Sequence, residues 1–245
     1  MIPHHVVTGD GPPLVLSNSL GTNLSMWNAQ ADALAERHRL IRYDTRGHGA
    51  SPTPPGPYTI ADLGQDVVDL LDHLGVAKAH VAGLSLGGMT AMWLAINAPE
   101  RVDRLALLCT APHLGPASVW ADRIQTVREH GTQALVDATM ERWLTPEYRA
   151  THDITQIRDA FIASDDAGYA GCCGAIQHMD QRSGLDTITA PTLIVAGAQD
   201  PATPPDQSFV DAIPNARLEV LDPGAHLINV ERPHDITRML LEHFR

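Results

Sequence analysis

Residues 79–95 read AHVAGLSLGGMTAMWLA, and this stretch decides the fold of the chain. A short β-type run leads into Gly83-x-Ser85-x-Gly87, and apolar, helix-compatible residues then continue without proline until Pro99. The pattern predicts a strand, a sharp turn and a helix, with Ser85 at the apex of the turn in a strained backbone conformation. Glycine on either side of the apex allows the strand and the helix to approach more closely than a Cβ atom would permit.

Ser85 is the candidate nucleophile of this turn. Its hydroxyl is expected at the N-terminus of the helix that begins near Leu86, where free N–H groups and the positive end of the helix dipole favour developing negative charge. The alternatives are a chance match to Gly-x-Ser-x-Gly and a turn with a purely architectural role. Whether a base and an acid follow in the chain decides between these interpretations.

A base and an acid are needed because a serine hydroxyl is too weakly acidic to attack a carbonyl at neutral pH. An imidazole takes the proton, and a carboxylate sets its tautomer and stabilises its charged form. After a turn of this type the chain order is Ser, then Asp or Glu, then His, each on a loop that follows a strand. Asp200 follows a predicted strand that ends at Gly197, and His226 follows one that ends at Leu221. We therefore predict that Ser85, Asp200 and His226 form a catalytic triad.

Both partners of the serine have rivals in the sequence. Asp222 is the nearest alternative acid, but it lies on the same loop as His226, which is poor geometry for reaching the imidazole ring. Asp200 could instead be a turn residue before Pro201. The chain contains 13 histidines, of which His226 alone combines a late position, a strand end and a following terminal helix.

Two preorganised N–H groups are needed to stabilise the oxyanion of an acyl-transfer intermediate. We predict that Leu86, the residue after the nucleophile, supplies one of them. The small-residue loop after the apolar run at residues 14–18 is expected to supply the other, from the N–H of Leu20. Leucine is adequate at both positions because both donors are backbone groups.

The alternation of strand and helix patterns predicts an α/β fold with a mostly parallel central sheet and helices on both faces. The alternation stops after an apolar strand at residues 104–110, and a helical pattern continues to about Ile188. We predict a core made of residues 1–111 and 189–245, with a helical cap inserted at residues 112–188 as a lid over the site. Four cap helices are expected, at residues 120–130, 132–144, 154–164 and 169–179.

Composition narrows the class of protein. The net charge of −12 disfavours nucleic acid and anionic membrane surfaces as partners, and no apolar run approaches the roughly 18 residues of a membrane span. Residues 1–5 lack the features of a secretory signal, and three cysteines, Cys109, Cys172 and Cys173, do not suggest a disulfide framework. A cytoplasmic location is therefore expected. Metal-dependent hydrolysis is disfavoured because no His-Glu-x-x-His or similar motif is present.

Several strings of this chain resemble the 3-oxoadipate enol-lactonase family of α/β-hydrolases, and the resemblance spans essentially all 245 residues. They are SNSLGT at 17–22, YDTRGHG at 43–49, GYAGC at 168–172, AQDPATPP at 198–205 and AHL at 225–227. SNSLGT and GYAGCC, the latter at 168–173, are the narrower signals, since most α/β-hydrolases carry His-Gly where this chain has Asn18-Ser19. The chain departs from the family at Gln177-His178, where Arg-Asp is common.

The resemblance implies an α/β-hydrolase fold and the hydrolysis, without a cofactor, of a small anionic enol-lactone to 3-oxoadipate in aromatic catabolism. Ser85 would be the nucleophile, His226 the base and Asp200 the residue that orients it. A broad carboxylesterase and a perhydrolase or haloperoxidase-like enzyme would share this triad and are the main alternatives. A hydrolase-fold small-molecule receptor is a more distant one. The sequence leaves the oligomeric state open.

An anionic substrate in so acidic a chain requires a local cation, for which arginine is better suited than lysine because its planar fork pairs both carboxylate oxygens. Arg123 follows Trp120 by three positions and shares its helix face. Arg142 precedes Trp143 near the end of the next predicted helix. We predict Arg123 as the carboxylate ligand, with Trp120 and Trp143 as pocket walls and Arg142 as the alternative.

Overall fold

The structure is a computed structural model that describes all of residues 1–245. Its strands are β1 (His5–Thr8), β2 (Pro13–Ser17), β3 (Arg39–Tyr43), β4 (Ala79–Leu84), β5 (Val102–Leu108), β6 (Thr192–Gly197) and β7 (Ala216–Leu221). They form one seven-stranded sheet in the order β1-β3-β2-β4-β5-β6-β7. β1 pairs antiparallel with β3, and every other neighbouring pair is parallel.

Helices surround the sheet. They are α1 (Asn28–Ala35), α2 (Ile60–His73), α3 (Leu86–Asn97), α4 (Ala117–His130), α5 (Val136–Trp143), α6 (Pro146–Thr151), α7 (Thr155–Ile162), α8 (Asp166–Gln177), α9 (Gln207–Asp211), α10 (Ile228–Glu231) and α11 (Pro233–His243). Short 3₁₀ turns occupy Leu24–Trp27, Pro99–Arg101, Thr132–Leu135 and Arg182–Thr187. None of the helices combines the length and the hydropathy that crossing a bilayer would take.

The central strands have the burial that is typical of a parallel sheet. β4 and β6 are buried along their whole length, as expected for strands covered on both faces. α3 packs against β4 and β5, and α1 packs against α11. The architecture confirms the predicted α/β fold class with a mostly parallel sheet. The carboxyl ends of β2, β4, β6 and β7 all carry loops that reach the candidate site.

The segment between β5 and β6 contains α4 to α8, five helices where the sequence pattern indicates four. The additional helix, α6, has only six residues, too few for an apolar repeat to be recognised. The two ends of the segment meet in an isolated antiparallel bridge between His113 and Asp180. The division into a core and a cap at residues 112–188 stays a prediction.

His243, at the end of α11, makes the fold sensitive to acid. It is 8% exposed and its Nε2 donates a hydrogen bond to the carbonyl of Leu105 at 2.9 Å. Burial lowers the pKa of His243 from 6.5 to about 4, a shift that the Leu105 hydrogen bond opposes and the charges of Arg217 and Arg104 assist. The unfolded chain therefore binds more protons than the folded one between these pH values, so acid favours unfolding.

We expect the stability contributed by neutral His243 to be lost as the pH falls from about 6.5 through about 4. In His243→Gln, which keeps an N–H donor for Leu105, the melting temperature should fall less between pH 7 and pH 4.5 than in the wild type. Thermal unfolding followed by circular dichroism measures this, with the exposed His234→Gln as the control. An equal fall in all three proteins would contradict the assignment.

Candidate active site

The turn between β4 and α3 holds Ser85 in a strained conformation, with φ 57° and ψ −117°. Its N–H donates to the carbonyl of Leu108 at 2.9 Å, and its carbonyl accepts from the hydroxyl of Thr110 at 2.8 Å. The end of β5 and the loop after it therefore hold the strained residue in place.

The glycines of the turn permit a very close approach of the chain. A Cβ atom at Gly83 would lie 2.1 Å from the carbonyl oxygen of Gly87, and one at Gly87 would lie 2.3 Å from that of Ser17. Any side chain at either position would push α3 away from β4 or β2. The first turn of α3 is thus held against the carboxyl end of β2, where the other candidate residues lie.

Asp200 and His226, on the loops after β6 and β7, form a buried pair. His226 Nδ1 lies 2.8 Å from Asp200 Oδ2, and neither side chain is more than 5% exposed. Asp200 also accepts hydrogen bonds from the hydroxyl of Thr203 at 2.6 Å and the N–H of Ala202 at 2.8 Å.

These contacts keep the carboxylate ionised. Burial by itself would raise the pKa of Asp200, but the charge of His226 and the hydrogen bonds from His226, Thr203 and Ala202 together hold it below its ordinary value. Asp200 then accepts the Nδ1–H of His226, which leaves Nε2 free to take a proton. Asp222, the rival acid, is exposed and makes no hydrogen bond to the ring.

Ser85 and His226 line a common cavity of about 240 Å³. Leu20 lines it from the loop after β2, and Trp120 and Trp143 line it from α4 and α5. The Ser85 hydroxyl makes no direct hydrogen bond to His226. Contacts of this kind often tighten only when substrate is bound, so the arrangement suits a nucleophile and its base.

Leu20, on the loop after β2, lines this cavity, and its N–H is the second predicted oxyanion donor. No group of the protein accepts a hydrogen bond from that N–H. The carbonyl of the same peptide, on Ser19, accepts from both the hydroxyl and the N–H of Thr22, at 2.7 and 3.2 Å. Because the C=O and N–H of a trans peptide point in opposite directions, Thr22 orients the Leu20 N–H. The Leu86 N–H is likewise free, at the first position of α3.

His48 supports the same loop from the turn after β3. Its Nε2 accepts a hydrogen bond from the N–H of Gly21 at 3.0 Å, and its Nδ1 lies 3.2 Å from the carbonyl of Arg46. Complete burial lowers the pKa of His48, so the ring stays neutral with its proton on Nδ1. Gly21 itself has a φ of 76°, which favours glycine.

Comparison with known proteins decides the family. A family model described as the alpha/beta hydrolase fold matches residues 12–130. The 3-oxoadipate enol-lactonase 2 of Acinetobacter baylyi is 43% identical over 235 residues, which are 91% of this chain and 85% of that protein. The chain belongs to the α/β-hydrolase family. It is therefore an enzyme of the hydrolase class.

Solved structures agree with this membership. The crystal structure of the enol-lactonase from Burkholderia xenovorans LB400 matches with a TM-score of 0.95 at 41% identity, covering 98% of this chain and 95% of that one. A thermophilic esterase from Thermogutta terrifontis matches with a TM-score of 0.93 at 26% identity, covering 97% and 91%. The α/β-hydrolase fold expected from the sequence is thereby confirmed.

The two candidate arginines of this hydrolase, Arg123 on α4 and Arg142 on α5, occupy different environments. Arg123 donates from Nη1 to the hydroxyl of Tyr169 at 2.5 Å, and its guanidinium lies 5.8 Å from the ring centre of Trp120. It does not line the cavity that contains Ser85, whereas Arg142 does. The structure thus brings the alternative arginine, and not the preferred one, to the site.

Two residues of the site went unrecognised in the sequence. Tyr169 lines the cavity and lies within the GYAGC string, which could have indicated it. Glu231, on α10, accepts from the N–H of Ala225 beside the histidine and from the N–H of Thr145 in the segment between β5 and β6, the latter at 2.7 Å. It links the histidine loop to that segment, and no sequence signal marks it.

No group of three or more His, Cys, Asp or Glu side chains in the hydrolase is arranged to hold a metal ion. The three cysteines are buried and form no disulfide. Burial and the nearby charge of Asp200 raise the pKa of the Cys109 thiol well above its ordinary value. Cys109 therefore packs behind Asp200 as a neutral group.

Proposed function

We propose that this hydrolase opens 3-oxoadipate enol-lactone to 3-oxoadipate through an acyl-enzyme formed on Ser85. The mechanism rests on one observation, the buried hydrogen bond between His226 and Asp200 at the wall of the cavity that contains Ser85. The substrate rests on the two enol-lactonases that are 43% and 41% identical to this chain. Hydrolysis of the lactone consumes one water and needs no cofactor.

In the first step, His226 Nε2 takes the proton of the Ser85 hydroxyl as the oxygen attacks the lactone carbonyl carbon. Asp200 stabilises the imidazolium that forms. The carbonyl oxygen becomes an oxyanion and accepts hydrogen bonds from the N–H groups of Leu20 and Leu86. Both donors are free beforehand, so no protein hydrogen bond has to break.

In the second step, the carbon–oxygen bond of the ring breaks, and the released enol oxygen takes the proton from His226. The enol tautomerises to the ketone while the acyl group remains on Ser85. His226 then removes a proton from a water that attacks the acyl carbon, and Ser85 leaves with that proton. The product carries one new carboxylate and the 3-oxo group.

Thr22 is a positioning residue in this scheme, and its removal is expected to slow the chemical step. In Thr22→Val, the Ser19 carbonyl loses its hydroxyl donor, so kcat for the enol-lactone should fall about 10-fold with little change in KM, part of the loss seen when an oxyanion donor is deleted outright. Thr22→Ser should restore kcat. Steady-state kinetics of the three proteins measure this, and equal kcat values would show that the loop needs no such anchor.

The function is tested by measuring hydrolysis of 3-oxoadipate enol-lactone beside simple nitrophenyl esters. We expect kcat/KM for the lactone to be higher by about 100-fold or more. Equal values would indicate a broad carboxylesterase. Halogenation or peracid formation with hydrogen peroxide as the main activity would indicate a perhydrolase-like enzyme. A single turnover with a trapped ligand fragment would indicate a receptor. Each of these results would overturn the proposal.

A further inference from the structure

The cavity beside Ser85 contains a cation without a partner. Arg142 lies in the last turn of α5, and its side chain lines the cavity together with Ser85 and His226. Its guanidinium donates no hydrogen bond to the protein and forms no ion pair, in contrast to Arg158 of the same segment, which pairs with Asp137 at 2.7 Å. A guanidinium has five N–H donors, so this side chain retains its full capacity to bind an anion.

The environment of Arg142 makes an incoming anion favourable. Burial lowers the pKa of Arg142, and the nearby positive charge of Arg123 lowers it further, while Tyr169 and Asp200 offset this only in part. A largely desolvated charge without a partner is costly, and proteins ordinarily pair such charges. The net charge of −12 repels anions from the rest of the protein. Binding of an anion therefore depends on a local cation such as Arg142.

Tyr169 adds a neutral donor to the same cavity. Its hydroxyl oxygen accepts a hydrogen bond from Arg123, and no protein group accepts the hydroxyl proton. Burial raises the pKa of Tyr169, so the phenol remains protonated. Arg123 thus already has a protein partner, whereas the Tyr169 O–H and the Arg142 guanidinium donate to no protein group, and both residues line the cavity.

Arg142 is held at a fixed position relative to the histidine loop. The residue after it, Trp143, accepts a hydrogen bond at its carbonyl from the N–H of Leu227 at 2.9 Å, and Leu227 follows His226 directly. One backbone bond therefore joins the end of α5 to the loop that carries the base. A ligand held by Arg142 would be positioned with respect to His226 and Ser85.

We propose that Arg142, assisted by the Tyr169 hydroxyl, binds a free carboxylate of the substrate and so selects esters and lactones that carry one a few carbon atoms from the carbonyl attacked by Ser85. The guanidinium fork can pair both carboxylate oxygens. This inference rests on the proposed function and specifies the part of the substrate that the catalytic residues do not contact.

The test compares two esters of the same acyl length, mono-4-nitrophenyl glutarate, which carries a free carboxylate, and 4-nitrophenyl pentanoate, which does not. The ratio of their kcat/KM values is measured for the wild type, Arg142→Gln and Arg128→Gln. Arg128 is an exposed arginine of α4 outside the cavity and serves as the matched control. We expect Arg142→Gln to lower the ratio about 10- to 100-fold, mainly through KM for the glutarate ester, and the control to leave it unchanged.

The two proposals fail in different ways. If the wild type hydrolyses both esters and Arg142→Gln keeps the wild-type ratio, the carboxylate site is refuted and the hydrolase function stands. If the wild type hydrolyses neither ester nor the enol-lactone, the proposed function is refuted.

In that case, binding tests the carboxylate site without turnover. Glutarate is titrated into the Ser85→Ala protein and into the Ser85→Ala, Arg142→Gln protein, with the fluorescence of Trp120 and Trp143 as the signal. If Arg142→Gln lowers the affinity for glutarate about 10-fold or more, the result supports the carboxylate site. Equal affinities of the two proteins overturn it.

Discussion

Replacing Ser85 by alanine is expected to lower kcat for the enol-lactone by at least about three powers of ten, because a catalytic triad acts as a unit and loses most of its effect with any one member. The backbone bonds that hold the turn, from the Ser85 N–H to Leu108 and from Thr110 to the Ser85 carbonyl, do not involve the hydroxyl. The variant should therefore fold and keep the shape of the cavity.

Steady-state hydrolysis measures the loss of turnover in Ser85→Ala, and the melting temperature shows whether the variant is folded. Ser118→Ala, at an exposed serine of α4, is the matched control and should retain wild-type turnover. A Ser85→Ala protein that is folded and turns over within about tenfold of the wild type would mean that the Gly-x-Ser-x-Gly turn is architectural.

Asp200→Asn should cost about three to four powers of ten in kcat while leaving substrate binding nearly intact. Oδ2 of Asp200 accepts from both His226 Nδ1 and the Thr203 hydroxyl. In Asp200→Asn, the side-chain amide can place its NH₂ group at the Oδ2 position, where it would face two other donors, the Nδ1–H of His226 and the Thr203 hydroxyl. In other orientations its single oxygen can accept from only one of them. The imidazole then loses the partner that keeps the proton on Nδ1 and that stabilises its charged form.

Asp222→Asn is the matched control, because Asp222 is the other acid next to the histidine loop and is exposed. It should retain full activity. The measurement is kcat and KM for the enol-lactone with each variant. A larger loss in Asp222→Asn than in Asp200→Asn would reverse the assignment of the acid.

The parts of this protein that the sequence predicts are those governed by local chemistry. A Gly-x-Ser-x-Gly turn needs its two glycines because Cβ atoms there would lie within 2.3 Å of backbone atoms, so the pattern itself indicates the strand, the turn and the helix. Chain order and strand ends predict the loops that carry Asp200 and His226. Parallel strands bring their carboxyl ends to one edge of the sheet, which explains why the hydrogen bond between these two residues forms across 26 positions of sequence.

The residues at which helices begin and end are less predictable from the sequence than the presence of the helices. α8 begins at Asp166, three residues before the expected start at Tyr169, because the side chain of Asp165 accepts the Gly168 N–H and caps the helix. The spacing of apolar residues gives no information about a polar capping residue, so it does not predict where such a helix begins. The short helix α6, which begins at Pro146 with Thr145 as its cap, is not predicted because its six residues are too few to show an apolar repeat.

Which arginine meets the cavity was decided by tertiary structure alone. The sequence favours Arg123 because it shares a helix face with Trp120, but Arg142 also lies beside a tryptophan, and no local pattern shows which of the two faces Ser85. Their environments differ because α4 packs against α8, which brings Tyr169 to Arg123, whereas the Leu227 bond holds the end of α5 over the histidine loop. Sequence spacing determines which face of a helix a residue occupies, but the direction of that face depends on how the helices pack, and packing is set by the summed contacts of the whole chain.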